Sequence, residues 1–211
     1  MSISYSKEVS FEPWVGVNYD NNESIFSKKV LVLGGSHYGQ PGEEDPDFTN
    51  EIVKLYLDDS HKDTWKGTYS KFINSIYFKV ANLDERKDLL DSVVFYNYLQ
   101  DFAGDTHDKA SQYDYKDPRH FEAFLSVIDT HKPDIVIAWG KYVWDALPDE
   151  WRHGDANQES GITIAEEKIE KCYVYPYAGN SKVTLLGINH PSGGYSWEPH
   201  HEKFKALGIY K

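Results

Sequence analysis

The clearest strand in the sequence is Asp134-Ile135-Val136-Ile137-Ala138-Trp139-Gly140, a continuous apolar run that stops at a glycine. Such a run, without polar alternation, predicts a strand that is buried on both faces, as in a parallel sheet. Residues 29–34, 93–97 and 182–189 contain apolar runs of the same kind. Together, the four runs predict the core of one sheet.

Segments with helical patterns lie between these strands. Alternation of strand and helix predicts an α/β protein, a three-layer α/β/α sandwich with a central, mainly parallel sheet. Thr49 is the expected N-cap of the first helix, and Pro118 fits the first turn of the fourth. The predicted helices span residues 49–57, 70–78, 84–91, 118–131 and 142–147, and further strands at the sheet edge span 162–164 and 172–177.

The composition is that of a globular protein. Its 211 residues are enough for a single domain, 1–211, with an irregular lead-in over residues 1–29 and a long polar loop over 104–117. Cys172 is the only cysteine, which excludes an internal disulfide and a cysteine-based zinc site. Residues 1–10 lack the apolar core of a signal peptide, and no run of about 18 apolar residues occurs. These features predict a cytoplasmic monomer that does not enter a membrane.

The charge is strongly acidic but uneven. A net charge of −12 argues against tight, nonspecific binding of nucleic acid by electrostatics alone. Residues 182–211, however, contain four Lys against two Glu, a local charge of +2. An anionic partner is therefore expected to approach the C-terminal third of the chain.

Distinctive residues follow the four predicted strands, and the carboxyl ends of parallel strands form one ligand-binding edge. The segments are Gly34-Gly35-Ser36-His37-Tyr38, residues 97–101, Gly140-Lys141, and residues 189–192. The first of these does not match a phosphate-binding loop, a dinucleotide loop or a nucleophile elbow.

Taken together, these segments resemble the uracil-DNA glycosylase superfamily. The resemblance rests on the strand and loop over residues 31–38, the strand ending in Asn97, residues 133–141, and His190-Pro191-Ser192, and it extends over residues 11–207. It implies an enzyme that flips a damaged or modified base out of DNA and hydrolyses its N-glycosidic bond. It also implies that neither a metal nor another cofactor takes part.

The resemblance also implies roles for individual residues. His190 would stabilise negative charge on the departing base, and Asn97 would read the edge of the flipped base. Tyr38 would pack on that base, next to the backbone of Gly34 and Gly35.

The segment after His190 would contact the DNA itself. Ser192 and the backbone amides around Gly193 would hold a phosphate. Tyr195 or Trp197 would be the wedge that fills the gap in the base stack. The expected partner is therefore DNA.

The sequence departs from the family where a water-activating carboxylate is usual, because Gly35 and Ser36 stand there. Ser36 can position a water but is no charged base near neutral pH. His37 is the first candidate for that role and Asp101 the second; the other carboxylates that could take it are Glu43, Glu44, Asp45 and Asp47. The altered loop favours a modified base, such as a hydroxymethylated or glycosylated cytosine of phage DNA, over plain uracil. The function would then lie in DNA repair or in phage defence.

Two other classes of protein stay open. The missing carboxylate and the acidic charge are compatible with a noncatalytic nucleic-acid or nucleotide binding protein on the same fold. A metal-dependent hydrolase would use His190, His200, His201 and Glu202, although adjacent histidines on a helix point about 100° apart.

Overall fold

A computed structural model of the protein describes residues 4–104, 113–147 and 183–211, with the strand backbone alone at 163–164, 167–168, 170–174 and 182. The strands are β1 Trp14–Val15, β2 Val30–Gly34, β3 Val93–Asn97, β4 Ile135–Trp139, β5 Thr163–Ile164, β6 Glu167–Lys168, β7 Glu170–Val174 and β8 Lys182–Ile188. The helices are α1 Phe48–Leu57, α2 Lys66–Tyr77, α3 Leu83–Asp91, α4 Pro118–His131, α5 Lys141–Ala146 and α6 Trp197–Ala206.

The main sheet has the strand order β1-β3-β2-β4-β8-β7. The four central strands are parallel, and β1 and β7 pair antiparallel at the two edges. The predicted mainly parallel sheet is thus confirmed. The chain runs from β2 to β3 on one side and then crosses to β4 on the other side of β2. The crevice between the carboxyl ends of β2 and β4 is therefore the topological switch point, where ligands bind in sheets of this kind.

Helices cover both faces of this sheet. Val30 and Val32 of β2 pack in one cluster with α1, α2, α3 and α6, whereas Leu31 and Leu33 pack in the other with α4 and α5. Successive strand residues point to opposite faces, so the continuous apolar run supplies both cores. The sheet is therefore the middle layer between two layers of helices.

Several local predictions need correction. Thr49 is not the N-cap of α1, which begins at Phe48 after Asp47, and Thr49 is instead buried. β1 lies in the lead-in that was expected to be irregular, and among the described strands β5 pairs with β6 rather than with the main sheet. Residues 105–112, 162 and 175–177 of the predicted loop and edge strands lie outside the described residues.

The loop after β2 is fixed by backbone hydrogen bonds to the segment after β3. Leu99 N donates to Gly35 O at 3.0 Å, Ala103 N to His37 O at 2.8 Å, and Gly39 N to Gly104 O at 3.0 Å. These bonds continue the β2–β3 pairing beyond the sheet, so the loop is a fixed wall of the crevice.

Within the described ranges, no helix combines the length and apolarity needed to cross a membrane.

Candidate functional site

Two cavities lie at the carboxyl edge of the sheet and share one wall. The inner lobe, of about 340 Å³, extends from the β2 loop between α1 and α2. The outer lobe, of about 540 Å³, lies between the β2 loop, the start of α5 and the turn after β8. The shared wall consists of Gly35, Ser36, Tyr38, Trp139, His190 and Ser192. All four predicted strand ends therefore contribute to one site.

Asn97, the last residue of β3, is a buried amide in the wall of the inner lobe. Gly34 pairs with it in register on β2, and a Cβ atom at Gly34 would overlap the amide oxygen of Asn97. Within the described part of the chain, the Asn97 side chain has no hydrogen-bond partner. A buried amide without a protein partner is costly unless a ligand satisfies it.

His190 stands between the two lobes. Its Nδ1 accepts a hydrogen bond from Ser192 N at 3.2 Å and lies 2.7 Å from Ser192 Oγ. Because a backbone N–H can only donate, Nδ1 is the acceptor and the neutral ring carries its proton on Nε2. Among the described residues, no group accepts from that Nε2–H. It is therefore available to a ligand.

The protein holds His190 neutral and in place. The ring edge is open to solvent, but the surrounding protein partly desolvates the imidazole and lowers the pKa of His190 below its ordinary value. Trp139 packs edge-on against the ring at a centroid distance of 6.3 Å. Gly140 has φ +89°, and a Cβ there would lie 3.1 Å from His190 Cβ, so only glycine allows this approach without strain.

The turn after His190 is tied to α2. Lys71 Nζ donates to Ser192 O at 3.2 Å, and Pro191 is buried. The Ser192 hydroxyl has one hydrogen and donates it to His190 Nδ1, so it cannot donate to a phosphate at the same time. Ser192 thus orients His190, and the Gly193 backbone beside it lines the outer lobe.

His37 lines the inner lobe but is a poor base there. Its Nε2 lies 2.9 Å from Thr49 Oγ1, and its ring packs edge-on against Phe11 and Phe48. Burial lowers the pKa of His37 to about 3. A general base works best with a pKa near the operating pH, so the structure argues against His37 as the water-activating residue.

Asp101, the second candidate for that role, lies outside both lobes. Its carboxylate accepts a hydrogen bond from Arg119 on α4. Among the residues that the structure describes, no Asp or Glu lines either lobe. The described wall therefore offers hydroxyl, amide and imidazole groups rather than carboxylates.

Ser36 and Tyr115 both line the outer lobe, and the sequence alone does not single out Tyr115. Burial raises the pKa of Tyr115 to about 12, although its hydrogen bond with Ser36 acts in the opposite direction. A Cβ at Gly35 would lie 3.5 Å from the Tyr115 hydroxyl, which shows how closely this group approaches the β2 loop. The two hydroxyls can hold a water molecule in the outer lobe.

Tyr195, one of the two residues predicted as a wedge, lines neither lobe. Its hydroxyl lies 2.8 Å from Ser75 Oγ on α2, and its ring stacks on His200 at 4.3 Å. Trp197, the alternative wedge, is the first residue of α6, is partly buried and lines neither lobe.

The histidines of α6 do not join His190. His200 is stacked on Tyr195, and His201 Nδ1 lies 2.9 Å from Ser75 O with its ring on Phe78. No group of three or more His, Cys, Asp or Glu within the described ranges is placed to hold a metal ion.

Aromatic side chains from the helices line the lobes and are missed by sequence reasoning. Phe48, Trp65 and Tyr69 line the inner lobe, and Tyr115 and Tyr142 line the outer one. An aromatic residue at helical spacing is more often a core residue, so the pattern alone does not indicate a ligand-binding site. Tyr142 is different, because it follows Gly140-Lys141 at a strand end that the sequence already marks.

Comparison with known proteins adds no family to this geometry, since neither a family model nor a curated protein matches the chain.

Proposed function

We propose that this protein is a DNA glycosylase that takes a flipped, damaged or modified base into the inner lobe and hydrolyses its N-glycosidic bond. One observation carries the proposal: the amide of Asn97 and the Nε2–H of His190, neither of which has a hydrogen-bond partner among the described residues, line a single aromatic-walled cavity. The motifs that resemble the uracil-DNA glycosylase superfamily supply these same two residues.

The inner lobe suits a planar base. Phe48 and Tyr38 offer aromatic surfaces against which a ring can pack, and the Asn97 amide offers both a donor and an acceptor to its edge. Binding the base would satisfy the amide that no described residue satisfies.

His190 would assist departure of the base. As the C1′–N bond breaks, its electron pair moves onto the base, and the Nε2–H donates a hydrogen bond to the base oxygen where charge develops. A preorganised donor in a partly dry site stabilises this charge without reorganisation of solvent. The ring stays neutral throughout.

Water then completes the reaction. The Ser36 and Tyr115 hydroxyls would position a water molecule that adds to C1′, which has cationic character in glycosidic hydrolysis. The proton of that water neutralises the expelled base. The step therefore balances with no charged carboxylate from the described wall.

The size of the inner lobe favours a base with an added substituent. The cavity continues past Asn97 to Trp65 and Thr68 on the α1–α2 side. Its volume of about 340 Å³ lies within the range of small-molecule pockets, which exceeds the need of a bare pyrimidine. A modified cytosine of phage DNA fits this shape, and its excision would serve phage defence rather than uracil repair.

A panel of oligonucleotides that differ only in one base, uracil, cytosine, hydroxymethylcytosine or glucosylated hydroxymethylcytosine, tests the proposal. Alkali cleaves the strand wherever a base has been removed. We expect scission with a modified base, and a loss of about 10²- to 10³-fold for His190→Ala, the size of an oxyanion-hole donor. His61→Ala is the matched control, since this exposed histidine lines neither lobe.

A second candidate is a noncatalytic nucleotide-binding protein. The observation in its favour is that no carboxylate of the described residues lines either lobe. Tight binding of a modified oligonucleotide, with no scission for any member of the panel, would support the binding protein and exclude the glycosylase.

A further inference from the structure

The outer lobe has the surfaces of a second ring-binding site. Tyr38 lies on the β2 loop and Tyr142 in the first turn of α5, and the two remain 41% and 51% exposed. Large aromatic side chains that stay exposed around a cavity of about 540 Å³ mark a place for a ligand. The chemistry of the inner lobe does not use Tyr142.

The aromatic wall is rigid rather than loose. Tyr142 stacks on Tyr115 with a centroid distance of 5.9 Å and an interplanar angle of 22°. Tyr115 is itself buried. A fixed, flat surface loses little entropy on binding, as stacking platforms for single-stranded nucleic acid require.

The outer lobe is continuous with the place proposed for the flipped base. His190 and Tyr38 form part of the wall of both lobes. A nucleotide whose base enters the inner lobe would therefore leave its neighbour on the same strand at the outer lobe. That neighbour can stack on Tyr142 only if it has left the duplex stack.

The packing of Tyr195 points in the same direction. Tyr195 is bonded to Ser75 and stacked on His200, so in this arrangement its ring does not project as a wedge for the gap that a base leaves in a duplex. Extrusion of a base costs a few kcal/mol in a duplex and least in a strand that is already single. A single strand needs no wedge.

We propose that the outer lobe is a subsite for the base next to the flipped one, and that the preferred substrate is single-stranded DNA with this neighbour stacked on Tyr142. This inference rests on the proposed function for the inner lobe. It adds a preference for single-stranded DNA, which removal of the flipped base does not by itself require.

Binding of short fluorescent oligonucleotides, measured by anisotropy, tests it. Every oligonucleotide has hydroxymethylcytosine as its central residue. The first strand has adenine on both sides of it, the second has an abasic tetrahydrofuran spacer on the 5′ side, and the third has that spacer on the 3′ side. A duplex and an RNA of the same sequence complete the set. The proteins are wild type, Tyr142→Ala, Tyr142→Phe and the control Phe78→Ala. Phe78 is an equally exposed ring, at the opposite end of α2 from Thr68 and Tyr69, which line the inner lobe.

We expect one spacer strand to bind wild type about 5- to 100-fold more weakly, the effect of losing one stacked base. Tyr142→Ala should show the same loss and no further effect of the spacer, whereas Tyr142→Phe and Phe78→Ala should resemble wild type. Equal binding of all strands, full affinity of folded Tyr142→Ala, or tighter binding of duplex or RNA would overturn the inference.

The same strands separate this inference from the function on which it rests. Neighbour-dependent binding without alkali-labile sites would leave the subsite standing and remove the glycosylase. Base removal at equal rates, with equal affinities for every neighbour, would support the glycosylase and exclude the subsite. Tyr142→Leu removes the same ring and gives a second variant if Tyr142→Ala does not fold.

Discussion

Asn97 keeps its place because its neighbour on β2 has no side chain. Gly34→Ala would put a Cβ where the amide oxygen of Asn97 lies, so the amide must turn away from the inner lobe. Misplacement of a binding group by about 1 Å can cost about 10²-fold in rate. We expect a loss of this size in single-turnover base removal.

Gly67→Ala is the matched control for that substitution, because a Cβ at Gly67 meets nothing within 4 Å. This glycine lies in the first turn of α2, where alanine is the better helix former. Wild-type rates in both variants would mean that Asn97 does not position the base.

The proton on His190 leads to a pH dependence. A pKa below the ordinary 6.5 keeps the ring neutral to lower pH, and protonation of Nδ1 would break its bond from Ser192 N. The rate of base removal should stay level from pH 8 to about 6.5 and decline only in more acidic solution. A rate that rises as the pH falls through 6.5 would contradict a neutral donor.

The residues of the candidate site differ in how well their positions could be predicted from the sequence. Asn97, Tyr38 and His190 follow strand ends and were predictable, because parallel strands bring their carboxyl ends to one edge. The structure disfavours the predicted role of His37 as a base, and the sequence could not show this because exposure is a property of the packed loop. Phe11 and Phe48 bury this ring, and neither contact is visible in the local sequence.

At the scale of elements, α2 organises the segment after β8. Besides Lys71, it contributes Ser75, which bonds Tyr195, and the carbonyl of Ile76, which accepts from the Tyr210 hydroxyl at 3.0 Å. The turn and α6 are therefore docked on one helix. This docking, rather than solvent exposure, decides where the aromatic residues after His190 point.

Tyr195→Phe tests this anchoring. Loss of one partly buried hydrogen bond should lower the free energy of unfolding by about 1 kcal/mol in urea denaturation. The ratio of rates on single-stranded and duplex DNA should not change, because the ring lines neither lobe. If Tyr195→Ala, but not Tyr195→Phe, selectively lost duplex activity, the wedge assignment would return.

The strands were easier to predict than the ends of the helices. Runs such as residues 29–34 have no polar face, and only burial on both sides of a sheet accommodates them. α4 begins at the predicted Pro118 because Asp117 caps it through Arg119 N at 2.9 Å. Thr49, by contrast, has the chemistry of a cap but turns inward to His37, and tertiary contact outweighs that local preference.

At the scale of the molecule, the positive charge of the C-terminal segment lies away from the site. β8 begins at Lys182, so this residue lies at the amino end of the strand, opposite the carboxyl end that forms the site. Lys203 and Lys205 lie in the last turn of α6. Lys28 Nζ binds Leu207 O at 2.7 Å, which places that end of α6 beside the start of β2. The approach of DNA to the basic C-terminal third stays a prediction, but among the described residues the cations nearer to the site are Lys71, which donates to Ser192 O, and Lys141, which lines the outer lobe.

The small number of cations in the described part of the site predicts a shallow salt dependence. Each phosphate contact with a single strand adds about −0.7 to the slope of log K against log salt, so Lys71 and Lys141 give at most about −1.4. Lys141→Ala should reduce the magnitude of the slope by about 0.7, whereas Lys205→Ala should leave it unchanged. A slope steeper than about −4 would require a different DNA-binding surface.

The histidines make the whole fold sensitive to acid. Burial lowers the pKa of His37 to about 3 and that of His200 to about 4, while the unfolded chain has the ordinary 6.5. Between these values the unfolded state binds more protons, so stability is full above about pH 6.5 and declines as the pH falls towards 3 to 4.

Urea denaturation at pH 7.5 and pH 5 measures this effect. His37 alone should account for about 2 kcal/mol of the lost unfolding free energy. His37→Gln keeps a neutral partner for Thr49 and should therefore show a smaller loss between the two pH values, even if it is less stable at pH 7.5. An identical loss in both proteins would place the acid sensitivity elsewhere.

The strand order also sets when the site comes into existence. β2 and β3 supply the β2 loop and Asn97 early in the chain, but His190 follows β8, which joins the sheet beside β4 after a long intervening segment. Pairings between distant segments form slowly, and a growing chain cannot make them before both partners have emerged. During synthesis, the β2 loop and Asn97, which are proposed to bind the base, would therefore be in place well before His190, which is proposed to assist its departure.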